Sequence, residues 1–204
     1  FNCSGDWAFY VEGDEVYHEN ELEKIKSSMQ MYLNDPNVEA LVFDFNHFYG
    51  NKNSVLDSPG WYRSEARIIK NSIRSYAPDG LFWVVLSSNK KGRYPKAKHT
   101  GVTCYHYGWV RSEEQMNLKS KKVQQYWGEK PVVIDYSQMD QLIIKEFHGT
   151  HPELIKDWFP KEGGLYEANS NYKISLKQKK HRIMLKLENF FGLELSKKHY
   201  KLVK

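Results

Sequence analysis

Cysteine is almost missing from this chain: its 204 residues include two, Cys3 and Cys104. Thiols so far apart fit no zinc spacing; one disulfide is arithmetically possible, but two free thiols in a reducing compartment are expected. No run approaches the roughly 20 apolar residues of a membrane span, and no secretory leader is recognisable. The expected location is the cytoplasm, at most resting on a membrane. Repeats and low-complexity tracts are missing too. There is no initiator Met; Phe1-Asn2-Cys3 runs almost directly into a strand-like segment, as expected of a fragment of a longer protein.

What is present suits a globular domain. A chain of this length can bury a real core, and 40% hydrophobic with 27% charged residues excludes a disordered segment. Aromatic residues reach 15%, with 14 Tyr and 6 Trp, enough either to fill a core or to line a site where flat ligands stack. The net charge of +5 is compatible with an anionic substrate or an acidic membrane surface.

Hydrophobic spacing gives the element order. Trp7 to Val11 is a short β-prone run ending in the acidic turn Glu12-Gly13-Asp14-Glu15. From Asn20 the apolar spacing becomes helical (Leu22, Ile25, Met29, Tyr32, Leu33), and Asp35-Pro36-Asn37 ends it. Val38 to Phe48 alternates as a strand, and Tyr49 to Gly60 is polar enough for a surface loop. Trp61–Lys70, Leu81–Leu86 and Gly101–Val110 follow as strands. Ser112 should cap a helix with Met116, Val123, Tyr126 and Trp127 on its apolar face. Shorter helices are expected at Met139–Phe147 and Pro152–Trp158. In the tail, Leu176 to Phe191 mixes five basic residues (Lys177, Lys179, Lys180, Arg182, Lys186) with Ile183, Leu187, Phe190 and Phe191. Such a helix either closes the domain with a solvated basic side or lies on an anionic membrane face. The predicted class is α/β, a mainly parallel, mixed sheet flanked by helices, with a C-terminal helical extension.

The sharpest local signal for chemistry is the acidic turn. Ligands of open α/β sheets bind beyond the carboxyl ends of strands. Carboxylates two apart there can face a hard divalent cation such as Mg²⁺ or Mn²⁺, although acidic turns after strands are also common without a metal.

Several segments in order resemble one family. GDWAFYVEGDEVYHE resembles the strand and acidic motif of family 2 glycosyltransferases of the GT-A fold, where the pattern is usually Asp-X-Asp. FDFNHFYGN (43–51), WYRSEARIIKN (61–71), YHYGWVRSEEQM (105–116), FHGTHPELIKDWF (147–159) and HYKLVK (199–204) resemble a bacterial, surface-polysaccharide branch. Here Glu12 stands where Asp is usual. The elements that hold the base and ribose of the donor would precede Phe1, so this piece alone is expected to be inactive. On this resemblance residues 1–160 are the metal and acceptor half of a catalytic domain, and 161–204 are a basic tail packed on it or on a membrane.

The resemblance implies inverting transfer from a nucleotide-diphospho-sugar donor to a carbohydrate or glycolipid acceptor, with Mn²⁺ or Mg²⁺ held by Glu12, Asp14 and His106. Such transfer needs a base near the acceptor oxygen. Glu65 is the first candidate, flanked by Arg63 and Arg67, which could lower its pKa, hold phosphate or merely form a salt bridge. Asp44 is the second. Arg111 could reach the diphosphate through its guanidinium fork, or only pair at a helix entry. His47 would shape the acceptor loop, and Trp61, Tyr62 and Trp109 could stack on a sugar or fill the core. His106 could equally be a core histidine, and His148 with His151 is expected to form a turn, not a metal pair. A carbohydrate-binding scaffold that has lost catalysis is the alternative. Nucleic-acid binding is not expected, since the basic residues cluster in the tail while the aromatics sit in strands.

Overall fold

The computed structural model describes residues 3–87, 91–128, 130, 132–159 and 165–203. The segment boundary at 160/161, the side chains of Tyr126 and Trp127, the opening Phe1-Asn2 and the final Lys204 lie outside the described residues. In chain order the elements are β1 (Trp7–Phe9), β2 (Glu15–Tyr17), α1 (Leu22–Tyr32), β3 (Ala40–Tyr49), β4 (Asn51–Leu56), β5 (Ser64–Lys70), β6 (Ser75–Tyr76), β7 (Val84–Leu86) and β8 (Gly92–Arg93). Then come β9 (Lys96–Trp109), α2 (Glu113–Trp127), β10 (Ile144–Glu146), α3 (Leu176–Phe191) and β11 (Lys201–Leu202). Two compact units result: one of residues 1–46, 62–105 and 196–204, the other of 47–61 and 106–195.

In the first unit β5 lies between β1 and β3, antiparallel to both. β2 and β11 pair with β9, and β6, β7 and β8 form a small antiparallel sheet. All seven residues of β5 are buried, the polar Ser64, Glu65, Arg67 and Lys70 among them. One core is built from Ile25 of α1 with Val38, Leu41, Phe43, Phe45, Ile68, Val102 and Cys104. A second gathers Ala8, Ala40, Val42, Ala66, Ile69, Trp83, Val85, Ala97 and Tyr200. In the second unit the end of β3 pairs with β4 and β4 with β10, both antiparallel, over a core of Tyr49, Leu56, Met116, Tyr136, Ile143 and Ile144.

The mixed α/β class is as the sequence implied. The pairings whose register is described are antiparallel, however, except that of Lys201–Leu202 with Lys96–Ala97. A mainly parallel sheet was expected from the strand–helix–strand order. Tight reversals explain the difference: Gly50, at φ +70°, turns β3 directly into β4. That hairpin also replaces the loop expected over Tyr49–Gly60. Its Asn-rich sequence hid a strand whose Ser54 and Leu56 are buried.

Two expected helices are single turns. Asp140 caps Gln141–Ile143 by accepting from the Leu142 N–H, and the β-branched Ile143 and Ile144 then enter the core, Ile144 opening β10. After Pro152 only Glu153–Ile155 turns, burying Ile155. The expected α2 is present with a full capping box: Ser112 Oγ accepts from the Gln115 N–H, and the Gln115 side chain accepts from the Ser112 N–H. Both cysteines are free thiols, Cys3 exposed and Cys104 buried. Among the described residues no helix is long and apolar enough to cross a membrane.

Candidate active site

The acidic motif closes a reverse turn, with the Glu15 N–H donating to the Glu12 carbonyl at 3.1 Å. Asp14 and Glu15 are buried and Glu12 is half-buried. The register of β5 against β3 slips between Leu41–Ile68 and Val42–Ala66, which leaves Arg67 as the extra residue of a bulge. Arg67 donates from Nε to both Glu15 oxygens at 3.1 Å, and from Nη2 to Glu15 Oε1 at 2.5 Å and Glu12 Oε1 at 3.3 Å. Its guanidinium also stands 4.9 Å from the Phe45 ring centroid and 5.7 Å from that of Tyr10. Burial opposes its charge, but the hydrogen bonds and charge of Glu15 outweigh burial and push its pKa up. Arg67 is thus a fixed counter-charge to the turn, one role the sequence had left open.

Glu12, Asp14 and Glu15 gather three carboxylates in four residues, and Arg67 engages two of them, Glu12 and Glu15. Tyr10 registers this: burial, then the Glu12 carboxylate, pushes its hydroxyl pKa up. Glu12 and Asp14 supply hard oxygen donors of the kind Mg²⁺ and Mn²⁺ take. Among the described residues no group of three or more His, Cys, Asp or Glu could hold a metal by itself. Glu12, Asp14 and His106, the ligand set that the resemblance implied, are therefore not brought together as three metal ligands.

Glu65, two residues before Arg67, points to a different partner. Its side chain is 1% exposed and its Oε2 meets His199 Nδ1 at 2.5 Å. Burial pushes the Glu65 pKa up, with the His199 hydrogen bond as the leading opposing influence and Arg67 the weakest of those named. The sequence had suggested that the arginines could lower it; desolvation wins because Arg67 is committed to Glu15. The His199 ring stacks on Phe82 at 4.1 Å and meets Tyr94 edge-on at 5.5 Å. Phe82 and Tyr94 line a pocket of about 550 Å³ together with Tyr76, Arg93 and Lys201. Next in sequence, the Tyr200 hydroxyl meets Ser64 Oγ at 2.6 Å. The closing His-Tyr pair is therefore pinned to consecutive β5 residues. Sequence reasoning missed His199, and its place in HYKLVK was the one signal available.

Other first-unit candidates lie apart from this pair. Asp44 contacts His99 Nε2 at 3.1 Å and is half-exposed. Tyr62 packs edge-on against Phe45 at 5.0 Å, and burial pushes its hydroxyl pKa up. The Arg63 carbonyl accepts from the Phe45 N–H at 2.8 Å.

In the second unit His47 Nδ1 and His106 Nδ1 lie 2.9 Å apart, both rings buried. One must be the donor and the other the acceptor, so the pair cannot be doubly protonated on these atoms. Any metal bond from His106 would therefore use Nε2. Trp61 packs on His47 at 5.4 Å and meets Trp109 at 5.8 Å and 87°. The two indoles open onto separate small cavities, Trp109 with His106 and Trp61 with His181. Arg111 lines a further cavity of about 530 Å³ with Lys119, Lys122 and Trp158. His151 Nδ1 bonds the Tyr107 hydroxyl at 2.9 Å, while His148 is exposed near Glu146. No family model, no curated protein and no solved structure matches the chain.

Proposed function

We propose that this chain is part of a glycosyltransferase that moves a sugar from a nucleotide-diphospho-sugar to an acceptor hydroxyl, in the manner of the GT-A enzymes its sequence resembles. The observation that carries the reading is the acidic turn after β1, where Glu12, Asp14 and Glu15 gather three carboxylates and Arg67 fixes Glu12 and Glu15. Glu12 and Asp14 would hold the divalent ion, and Glu15 holds the turn through Arg67. With donor bound, the ion would neutralise charge on the departing diphosphate. Glu12 in place of Asp lengthens one arm by a methylene, and its bond to Arg67 keeps that arm in a fixed direction.

Glu65 is too deeply buried to meet an acceptor itself. In this reading it orients His199, whose side chain is 12% exposed, and the imidazole takes the proton from the acceptor hydroxyl. The pocket beside Phe82 and Tyr94 offers flat surfaces of the kind that sugars stack on.

Calorimetric titration of Mn²⁺ and Mg²⁺ in the presence of UDP, on wild type and Asp14→Ala of a longer protein that includes the base- and ribose-holding elements the resemblance places before Phe1, tests the assignment. Metal-dependent nucleotide binding that disappears in the variant is expected. Binding of equal strength in both would remove the acidic turn from the site. The second reading, a carbohydrate-binding scaffold without catalysis, draws on the engagement of both Glu12 and Glu15 by Arg67. It would be favoured by saccharide binding with no nucleotide binding.

A further inference from the structure

Helix α3 is capped at both ends and anchored along one side. Ser175 Oγ accepts from the Gln178 N–H, and Gly192 leaves the helix at φ +64°. Arg182 grips Asp140 with two bonds of 2.7 Å. Glu188, the helix's one carboxylate, is buried and accepts from the Leu195 N–H at 2.6 Å. His181 is anchored close to the backbone, its ring packed so tightly over Gly60 that a Cβ there would collide with it.

The opposite side is unlike an ordinary solvated face. Leu176, Ile183, Leu187, Phe190 and Phe191 fall within one outward stripe at 3.6-residue spacing and are between 43% and 82% exposed. Lys177, Lys179 and Lys186 flank that stripe, Lys180 falls within it, and all four are exposed. The only acid of the helix points the other way, so the outward face carries positive charge and apolar surface together. Leu193, just past the cap, is exposed as well.

We infer that α3 is an interfacial helix that lies flat on an anionic lipid bilayer, its phenylalanines in the acyl boundary and its lysines among acidic headgroups. A second copy of the chain would bring the same lysines together and is disfavoured by repulsion. A polyanion such as nucleic acid would leave the phenylalanines in water. Only a surface both anionic and apolar satisfies the two halves of the pattern. Sixteen helical residues span about 24 Å at 1.5 Å each, which suits a helix lying in the interface and not one crossing it. This inference is independent of the reaction proposed above.

Vesicle co-sedimentation of the chain tests it, with phosphatidylcholine vesicles against vesicles about one third phosphatidylglycerol. Binding should be at least about tenfold tighter to the anionic vesicles and should weaken with added salt. Phe190→Ser with Phe191→Ser should reduce it at least about tenfold. Lys179→Gln with Lys186→Gln should reduce it roughly 25-fold, about fivefold for each charge. All four side chains are exposed, so circular dichroism should report an unchanged fold. No vesicle binding, equal binding to neutral vesicles, or binding indifferent to the phenylalanines would each overturn the inference. So would sedimentation equilibrium showing a dimer that the Phe190→Ser and Phe191→Ser changes dissolve.

Discussion

Replacing Arg67 by Met tests the arrangement around β5 most severely. The Arg67 and Glu15 side chains are 1% and 0% exposed, and Glu15 accepts three hydrogen bonds from this guanidinium. Methionine fills a similar volume, so little of the cost comes from a cavity. The cost comes from leaving the Glu15 carboxylate buried without its counter-charge, about 3–5 kcal/mol for breaking one half of such a pair. The cation–π contacts to Phe45 and Tyr10 are lost as well. With a urea m-value of roughly 2–3 kcal/mol/M, the unfolding midpoint should fall by about 1–2 M. Adding Glu15→Leu removes the orphaned charge, and the double variant should return to within about 2 kcal/mol of wild type, since an apolar replacement of a buried pair is often neutral. Urea melts followed by circular dichroism and by tryptophan fluorescence measure both. A single-variant loss below about 1 kcal/mol, or a double variant no better than the single, would refute the pair as the element that holds the acidic turn.

Glu65 titrates above its ordinary value of 4.5, so the folded state holds its proton more tightly than the unfolded one. Its contribution to stability is full below that ordinary value and falls as pH rises through the raised folded value. Urea melts across this window should show wild type losing stability with rising pH more steeply than Glu65→Gln; parallel curves would contradict the shift. Asp140 behaves oppositely: the Arg182 hydrogen bonds hold it below 3.8, so its stabilisation is present above that value and lost as pH falls. Arg182→Ala should cost about 1 kcal/mol after allowance for screening of a partly exposed guanidinium. It should also speed amide exchange in Leu176–Phe191, and unchanged exchange would remove Arg182 as the anchor of α3. Gly50→Ala combines a left-handed φ of +70° with a Cβ 2.5 Å from the Tyr166 ring. A loss of about 2–4 kcal/mol in denaturation is expected, and a neutral result would mean that the β3–β4 reversal can rearrange.

Strand and helix positions were legible wherever apolar spacing carried them. α1, β3, β9, α2 and α3 lie close to where periodicity puts them, because each buries one face or both against a core. What failed was pairing direction and the polar segments. Asn51–Leu56 has a loop composition, and only the turn at Gly50, with Ser54 and Leu56 turned inward, makes it a strand. Local spacing also could not separate Glu65 from Arg67. Residues two apart on a regular strand share a face, but a bulge intervenes, and their partners come from opposite ends of the chain, Glu15 and His199. His199 itself has no periodic context, and its importance rests on a contact made over a sequence separation of 134 residues.

β5 explains why structure and chemistry are hard to separate here. It is a fully buried strand, and such strands ordinarily exclude polar residues. Yet Ser64, Glu65, Arg67 and Lys70 are all in it, answered in turn by Tyr200, His199, Glu15 and the Asp35 carbonyl. Four partners drawn from three remote segments give the strand one register and one set of neighbours, because any slip would bury a charge unpaired. A purely structural strand could achieve burial with apolar residues at lower desolvation cost. The polar set concentrates where the acidic turn and the closing His-Tyr pair meet the sheet. That placement separates the roles experimentally. If it only fixes register, Arg67→Met with Glu15→Leu restores stability and leaves metal and nucleotide binding as in wild type. If it also shapes the anion balance of the turn, stability returns while binding does not.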